Sequence, residues 1–140
     1  MGELQTWLSD FLNDIGACAG TVHVRESDGL RLRAAKNIPD VVQQAVDWVP
    51  CGKGMAGLAL ERAQPVTTCN LKDDHSGSVR PGAKAVNAQA AVAMPVRNHE
   101  GAIVAVVGAA FAEARDIGEN ELQELALRAG SLTQLAAAQP

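Results

Sequence analysis

The sequence predicts an α+β fold in which an antiparallel β-sheet packs against amphipathic helices. Two predicted hairpins carry the sheet. Strands at 19–26 and 30–35 flank Ser27-Asp28-Gly29, and Asp-Gly between two alternating runs is a strong hairpin feature. A second pair of apolar strands, at 89–96 and 102–111, flanks a Gly-containing turn. The strand at 102–111 is apolar on both faces, so we expect it to be central in the sheet.

Two terminal helices are predicted from apolar spacing. Segment 4–15 has apolar side chains at i, i+3, i+4 and i+7, and Gly16 follows it. Segment 119–136 repeats the pattern with leucines and alanine. On the first hairpin, Val22 and Val24 alternate with polar residues, and Leu30, Leu32 and Ala34 are expected to share one apolar face.

Between the hairpins lies a glycine-rich segment. Residues 38–48 have valines at helical spacing and predict a helix, with Pro39 near its start. Gly52, Gly54 and Gly57 then spell G-x-G-x-x-G, followed by a short helix ending at Arg62 and a strand at 65–69. A dinucleotide-binding motif needs a buried parallel strand before its glycines. The glycines are therefore interpreted as a tight helix-to-helix turn running close above the sheet.

Length, charge and composition limit the classes of protein to which the chain can belong. The chain has 140 residues, enough for one domain at 1–140. Its net charge of −4 argues against a general nucleic-acid binder or an anionic-membrane binder. The longest uncharged apolar run, 101–112, is too short for a membrane-spanning helix, and no removable leader is expected. Three cysteines without C-x-x-C spacing predict a reduced, soluble, cytoplasmic protein.

The order of elements and four short segments resemble a GAF domain. The segments are G-K-G-M-A-G-L-A at 52–59, P-V-T-T at 65–68, A-V-A-M-P-V at 91–96 and I-V-A-V-V-G at 103–108. The resemblance covers nearly the whole chain. It implies a central antiparallel sheet with the N- and C-terminal helices on one face. Short helices and a long loop, 70–87, would cover a small-molecule pocket on the other.

The same resemblance implies a sensor that signals through its terminal helices, often as a dimer. No output domain is expected within 140 residues, so the signal would pass to a partner protein. The expected homodimer surface comprises Trp7, Phe11, Leu125 and Leu132.

The candidate ligand site combines the glycine-rich segment with the long loop. Arg80 and Lys84 would clamp a polar or anionic metabolite, with loop hydroxyls and backbone N–H groups as donors. An ordinary solvated loop would contain the same turn-forming residues. The complete set of expected ligand-binding residues is Trp48, Cys51, Met55, Cys69, Asp73, Asp74, His75, Ser78, Arg80, Lys84 and Met94. Trp48, Met55 and Met94 would form its apolar walls.

No catalytic residue, metal or cofactor is expected. Adjacent residues such as 73–75 seldom converge on one ion, and His23 and His99 are predicted to be surface residues. Cys51 and Cys69 have two interpretations, a redox pair or two small buried side chains.

The redox interpretation is the enzyme alternative. The GAF-related free methionine-R-sulfoxide reductases place a catalytic cysteine inside the glycine turn, where this chain has Met55 and Ala56. The Cys-His pair of bilin-binding GAF domains and the Asn-Lys…Phe…Asp-Glu pattern of cyclic-nucleotide GAF domains are missing from the sequence.

Overall fold

The computed structural model describes residues 2–68, 90–98, 100–112 and 118–132. In chain order the elements are α1 (Gly2–Ile15), β1 (Ala19–Glu26), β2 (Gly29–Lys36), α2 (Asp40–Ala45), β3 (Trp48–Pro50), α3 (Gly54–Arg62), β4 (Val66–Thr68), β5 (Ala90–Arg97), β6 (Ile103–Phe111) and α4 (Glu119–Ala129), followed by a 3₁₀ turn at Gly130–Leu132. The strands form one six-stranded sheet in the order β3-β2-β1-β6-β5-β4, and every neighbouring pair is antiparallel. The predicted α+β class and the central position of β6 are confirmed.

Both terminal helices pack on the same face of the sheet. Leu4, Leu8 and Leu12 of α1 are buried in a cluster that also contains Leu125 and Ala129 of α4. The sheet contributes alternate residues of β5 and β6 to this cluster. The arrangement of helices expected from the family resemblance is therefore present. Within the described residues no helix has the length and apolar character that crossing a membrane requires.

The residues expected to form a dimer surface lie mostly inside this core. Phe11, Leu125 and Leu132 are at most 5% exposed and pack within the protomer. Trp7 is half-buried and stacks on Phe11 with ring centroids 4.9 Å apart. These side chains stabilise the protomer, so a dimer would have to use neighbouring residues. Dimerisation itself stays a prediction.

The predicted helix 38–48 is too long. The helix α2 covers only Asp40–Ala45, and Trp48–Pro50 forms the edge strand β3 against β2. Valines are compatible with both structures, so their spacing alone did not distinguish a helix from a short strand. The helix α3 also begins earlier than predicted, at Gly54, so two of the three glycines lie within it. The glycine turn therefore joins a strand to a helix, but that strand is a three-residue antiparallel edge strand.

A β-bulge changes which residues of the first hairpin lie on the same face of the sheet. Val22 pairs with Ala34, but the next residue, His23, pairs with Leu32, which leaves Arg33 as the extra residue. As a result Leu30 packs in the cluster beneath α3, whereas Ala34 packs beneath the terminal helices. The expectation that Leu30, Leu32 and Ala34 share one apolar face is wrong, because the extra residue reverses the alternation.

Gly29 is constrained by packing. A Cβ atom added to Gly29 in ideal geometry would lie 2.3 Å from Cζ2 of Trp48. This ring also contacts the Arg31 guanidinium, which lies over it at 5.0 Å from the ring centroid. Gly29→Ala is expected to lower the free energy of unfolding by about 1–3 kcal/mol through overpacking. The loss should largely disappear when Trp48 is also replaced by Ala, as measured by urea unfolding in a double-mutant cycle. Equal losses in both backgrounds would contradict the packing explanation.

Candidate ligand cavity

A cavity of about 140 Å³ lies on the face of the sheet opposite the terminal helices. Its floor is hollow because small side chains occupy aligned positions on three neighbouring strands. Gly108 of β6 pairs with Thr21 on one side and with Ala93 on the other. The next row consists of Ala19, Ala110 and Ala91. These rows leave room above the sheet where larger residues would fill it.

The walls come from the short elements between the hairpins. Val42 of α2, Val46 directly after α2 and Val49 of β3 line the cavity. Met55 and Ala56 line it from the first turn of α3. The cavity is therefore bordered by α2, β3 and α3, on the side of the sheet predicted for the pocket.

The glycine turn holds α3 close to β3 by backbone contacts. The Gly52 N–H donates to the Gly57 carbonyl at 2.8 Å, and the Lys53 N–H donates to the Pro50 carbonyl at 3.1 Å. Gly52 has φ +87°, which favours glycine. An ideal Cβ on Gly57 would lie 2.5 Å from the Pro50 carbonyl oxygen. The glycines thus permit close backbone packing that fixes the position of Met55 and Ala56.

His23 is buried at the cavity wall. The prediction that it lies on the surface is wrong, because α2 and the residues after it cover this part of β1, and His23 is 3% exposed. Its Nε2 lies 2.9 Å from the Val46 carbonyl, which only accepts, so Nε2 carries the proton. Burial lowers the pKa of the imidazole, although the Val46 carbonyl and Asp47 act in the opposite direction. The ring is neutral, and it ties the end of α2 to the sheet.

The other nitrogen of His23 has no hydrogen-bond partner within the described part of the chain. The Nδ1 atom is buried and no hydrogen bond reaches it from the described residues. In the neutral ring with a proton on Nε2, Nδ1 is an acceptor. A buried acceptor without a donor is uncommon, and His23 is one of the residues that line the cavity.

Of the expected site residues that the structure describes, one lines the cavity and three do not. Met55 lines the cavity. Cys51 is exposed in the turn before α3, so the buried interpretation of this thiol is wrong. Trp48 covers Gly29 and does not line the cavity. Met94 is fully buried in the cluster beneath the terminal helices, on the opposite face from the cavity.

The remaining expected site residues lie outside the described part of the chain. They are Cys69, Asp73, Asp74, His75, Ser78, Arg80 and Lys84. The surface prediction for His99 also lies outside it. Within residues 2–68, 90–98, 100–112 and 118–132, no three His, Cys, Asp or Glu side chains form a metal-ligand group.

Two features of the cavity were missed by sequence reasoning. On β5 the alternation of small and large residues places Ala91 and Ala93 on the cavity face, and Met94 on the other. The small residues, together with Gly108, mark the floor. His23 had no comparable marker, since its burial depends on α2, which is distant in sequence.

A single antiparallel sheet with terminal helices on one face and a lined cavity on the other defines a small-molecule-binding class of α+β domain. A family model described as GAF domain matches residues 3–135. The chain belongs to the GAF domain family, a small-molecule-binding and sensing fold. No curated protein matches the sequence significantly.

Several solved structures share the fold. The GAF domain of an Acinetobacter phosphoenolpyruvate-protein phosphotransferase has a TM-score of 0.74 at 14% identity, covering 96% of this chain and 79% of that one. The type II free methionine-R-sulfoxide reductase from Thermoplasma acidophilum has a TM-score of 0.68 at 16% identity, with coverages of 97% and 88%. A domain of a putative two-component sensor histidine kinase from Sinorhizobium meliloti has a TM-score of 0.70 at 15% identity, with coverages of 99% and 93%. At these identities the likeness establishes the fold alone.

Proposed function

We propose that the chain is a sensor domain whose small-molecule ligand binds in the cavity between the sheet, α2 and the start of α3. The observation that carries the proposal is the lined cavity on a sheet whose opposite face holds both terminal helices. Ligand occupancy is passed through the sheet to α1 and α4, and from these helices to a partner protein.

The strands that form the cavity floor support this route. On β6, Gly108 lies under the cavity, whereas Val107 is buried beneath the terminal helices. On β5, Ala93 lies on the cavity side of the sheet, and Val92 is buried beneath the terminal helices. A ligand that shifts these strands changes the packing of α1 and α4 directly, because one layer of backbone separates the two faces.

The remaining parts of the proposal concern the charge of the ligand, the cellular location of the protein and its oligomeric state. The anion clamp by Arg80 and Lys84 stays a prediction, since both lie outside the described residues. A cytoplasmic location and a homodimer belong to the same proposal. The cytoplasmic location rests on the cysteine content of the sequence, and the homodimer rests on membership of the GAF family.

A cavity-filling variant tests where the ligand binds. Ala93→Leu extends a buried side chain into the cavity, and Ala56→Leu does so from the α3 wall. A metabolite extract is expected to raise the thermal midpoint of the wild type and of neither variant. A ligand at 100 times its Kd stabilises by about 2.7 kcal/mol.

Ala45→Leu is the matched control for this experiment. Ala45 lies on α2 but is exposed, so the same change leaves the cavity open. Its response to the extract should equal that of the wild type. A response that persists in both cavity-filling variants would place the ligand elsewhere.

The thiol-dependent alternative is a redox protein related to the free methionine-R-sulfoxide reductases. The specific observation in its favour is the exposed Cys51 thiol in the glycine turn. It requires that a mild oxidant join Cys51 to Cys69 with the loss of two hydrogens. Under the sensor proposal Cys51→Ser keeps the full response to the extract, as measured by thermal shift. A response abolished by Cys51→Ser, together with an oxidised Cys51–Cys69 pair, would favour the redox protein instead.

A further inference from the structure

Thr21 places a hydroxyl group in the floor of the cavity. Its neighbour on β1, Val22, is buried beneath the terminal helices, so Thr21 faces the opposite side of the sheet, where it lines the cavity. Its partner on β6 is Gly108, which also lines the cavity. A Cβ atom added to Gly108 would lie 2.9 Å from Oγ1 of Thr21. The hydroxyl therefore borders the open space above this glycine.

The hydroxyl of Thr21 is available to a ligand. It makes no hydrogen bond to the described residues. Among these residues, the buried side-chain nitrogen or oxygen that lacks a partner is Nδ1 of His23. Oγ1 of Thr21 lacks a partner too and is not buried in this way, so water or a ligand can reach it. A threonine hydroxyl can both donate and accept a hydrogen bond.

The other two polar side chains of the described lining are less suited to this role. They belong to His23 and Lys53. His23 donates from Nε2 to the Val46 carbonyl, and its Nδ1 is buried, so neither nitrogen is available. Lys53 is exposed, so water competes with a ligand for its ammonium group. Thr21 is half-buried in a floor that otherwise consists of small apolar residues.

This position makes the hydroxyl a basis for selectivity. A ligand lying on the floor displaces the water that hydrates Oγ1. A ligand with only carbon and hydrogen at that point leaves the hydroxyl without a hydrogen bond, which is unfavourable. A ligand with an oxygen at that point replaces the lost water. The floor should therefore discriminate between ligands of the same shape by this one contact.

We propose that Thr21 determines the specificity of the cavity, and that the ligand is a mainly apolar molecule with a hydroxyl, carbonyl or carboxylate oxygen that bonds to Oγ1 of Thr21. The apolar part packs against the valines and Met55 that line the walls. The class includes acids, because Lys53 lines the same cavity. This inference rests on the proposed sensor function and deepens it, because it names the chemical class of the ligand.

Thr21→Val is the diagnostic variant. Valine has nearly the shape of threonine and is favoured in strands, so the sheet is kept while the hydroxyl is lost. Phenol and toluene serve as probes, since they differ by one hydroxyl group. The two probes also differ in hydrophobicity, so the measured quantity is the ratio of their dissociation constants, compared between variants by calorimetry. Relative to toluene, phenol should bind about fivefold more weakly to Thr21→Val than to the wild type, which corresponds to one net hydrogen bond.

Three further variants control the experiment. Thr21→Ser keeps a hydroxyl and should retain the ratio of the wild type. Thr67→Val makes the diagnostic change on β4, at an exposed threonine that does not line the cavity, and should also leave the ratio unchanged. Ala93→Leu should abolish the binding of both probes, which locates them in the cavity.

Each result supports or overturns the inference. A ratio in Thr21→Val equal to that of the wild type, or a ratio in Thr21→Ser that changes as much as in Thr21→Val, overturns the role of the hydroxyl. Failure of both probes to bind the wild type, or binding that persists in Ala93→Leu, overturns the ligand class. The proposed sensor function is judged separately, by whether Ala93→Leu loses the response to the metabolite extract.

Discussion

Gly57→Ala is expected to displace the glycine turn and to lower the free energy of unfolding by about 1–3 kcal/mol or more. The added Cβ would lie 2.5 Å from the Pro50 carbonyl oxygen and 3.1 Å from the Gly52 nitrogen. Both neighbours are backbone atoms, so neither can move away by changing a rotamer. Since Ala is intrinsically a better helix former than Gly, the effect must come from this contact.

Gly130→Ala is the matched control. Gly130 has φ −58° and ψ −25°, and its ideal Cβ meets no heavy atom within 4 Å. This substitution is expected to be neutral or slightly stabilising in urea unfolding. The Gly57 variant should also lose ligand response, because Met55 and Ala56 follow the same turn. Equal stability of the two variants would contradict the close packing of the turn.

Acidification is expected to destabilise the protein through His23. Burial lowers the pKa of this imidazole below its ordinary value of 6.5, so the unfolded chain takes up a proton at higher pH than the folded chain. The stabilisation that neutral His23 contributes is complete at pH values above the pKa of His23 in the unfolded chain. It declines as the pH falls below about 6.5 towards the lowered folded pKa, by up to about 1.4 kcal/mol per pH unit.

Urea unfolding between pH 7.5 and pH 5 measures this effect. The charge of Asp47 raises the pKa of His23, but by less than burial lowers it. Asp47 is present in both the wild type and the variant, so its effect does not distinguish them. His23→Gln keeps a donor for Val46 and removes the titrating group, so its stability should fall less on acidification. Parallel curves for the wild type and His23→Gln would contradict the assignment of His23 as a buried neutral group.

Local patterns predicted most of the fold. Alternation predicted the two hairpins, and spacing of leucines predicted the terminal helices, because in both cases the repeat is set by the element itself. The strand β3 was missed because its three residues, Trp48–Pro50, become a strand only by pairing with β2. The reversed face of Ala34 was missed because a bulge at Arg33 leaves no mark in a run of alternating residues.

The candidate site was less predictable. Met55 was identified through the glycine turn, and it lines the cavity. Met94 was assigned to the wrong face, since the phase of β5 is fixed by its pairing with β6 and not by its own composition. The burial of His23 depends on the packing of α2 over β1, a contact between segments 23 residues apart.

A crystal structure of the protein grown with phenol, as a small aromatic probe, tests the central claim, that the cavity above the sheet is the ligand site. The predicted result is phenol density in the cavity, over Gly108 and Ala93. Side chains that fill the space above these residues, or phenol bound only elsewhere on the protein, would contradict it.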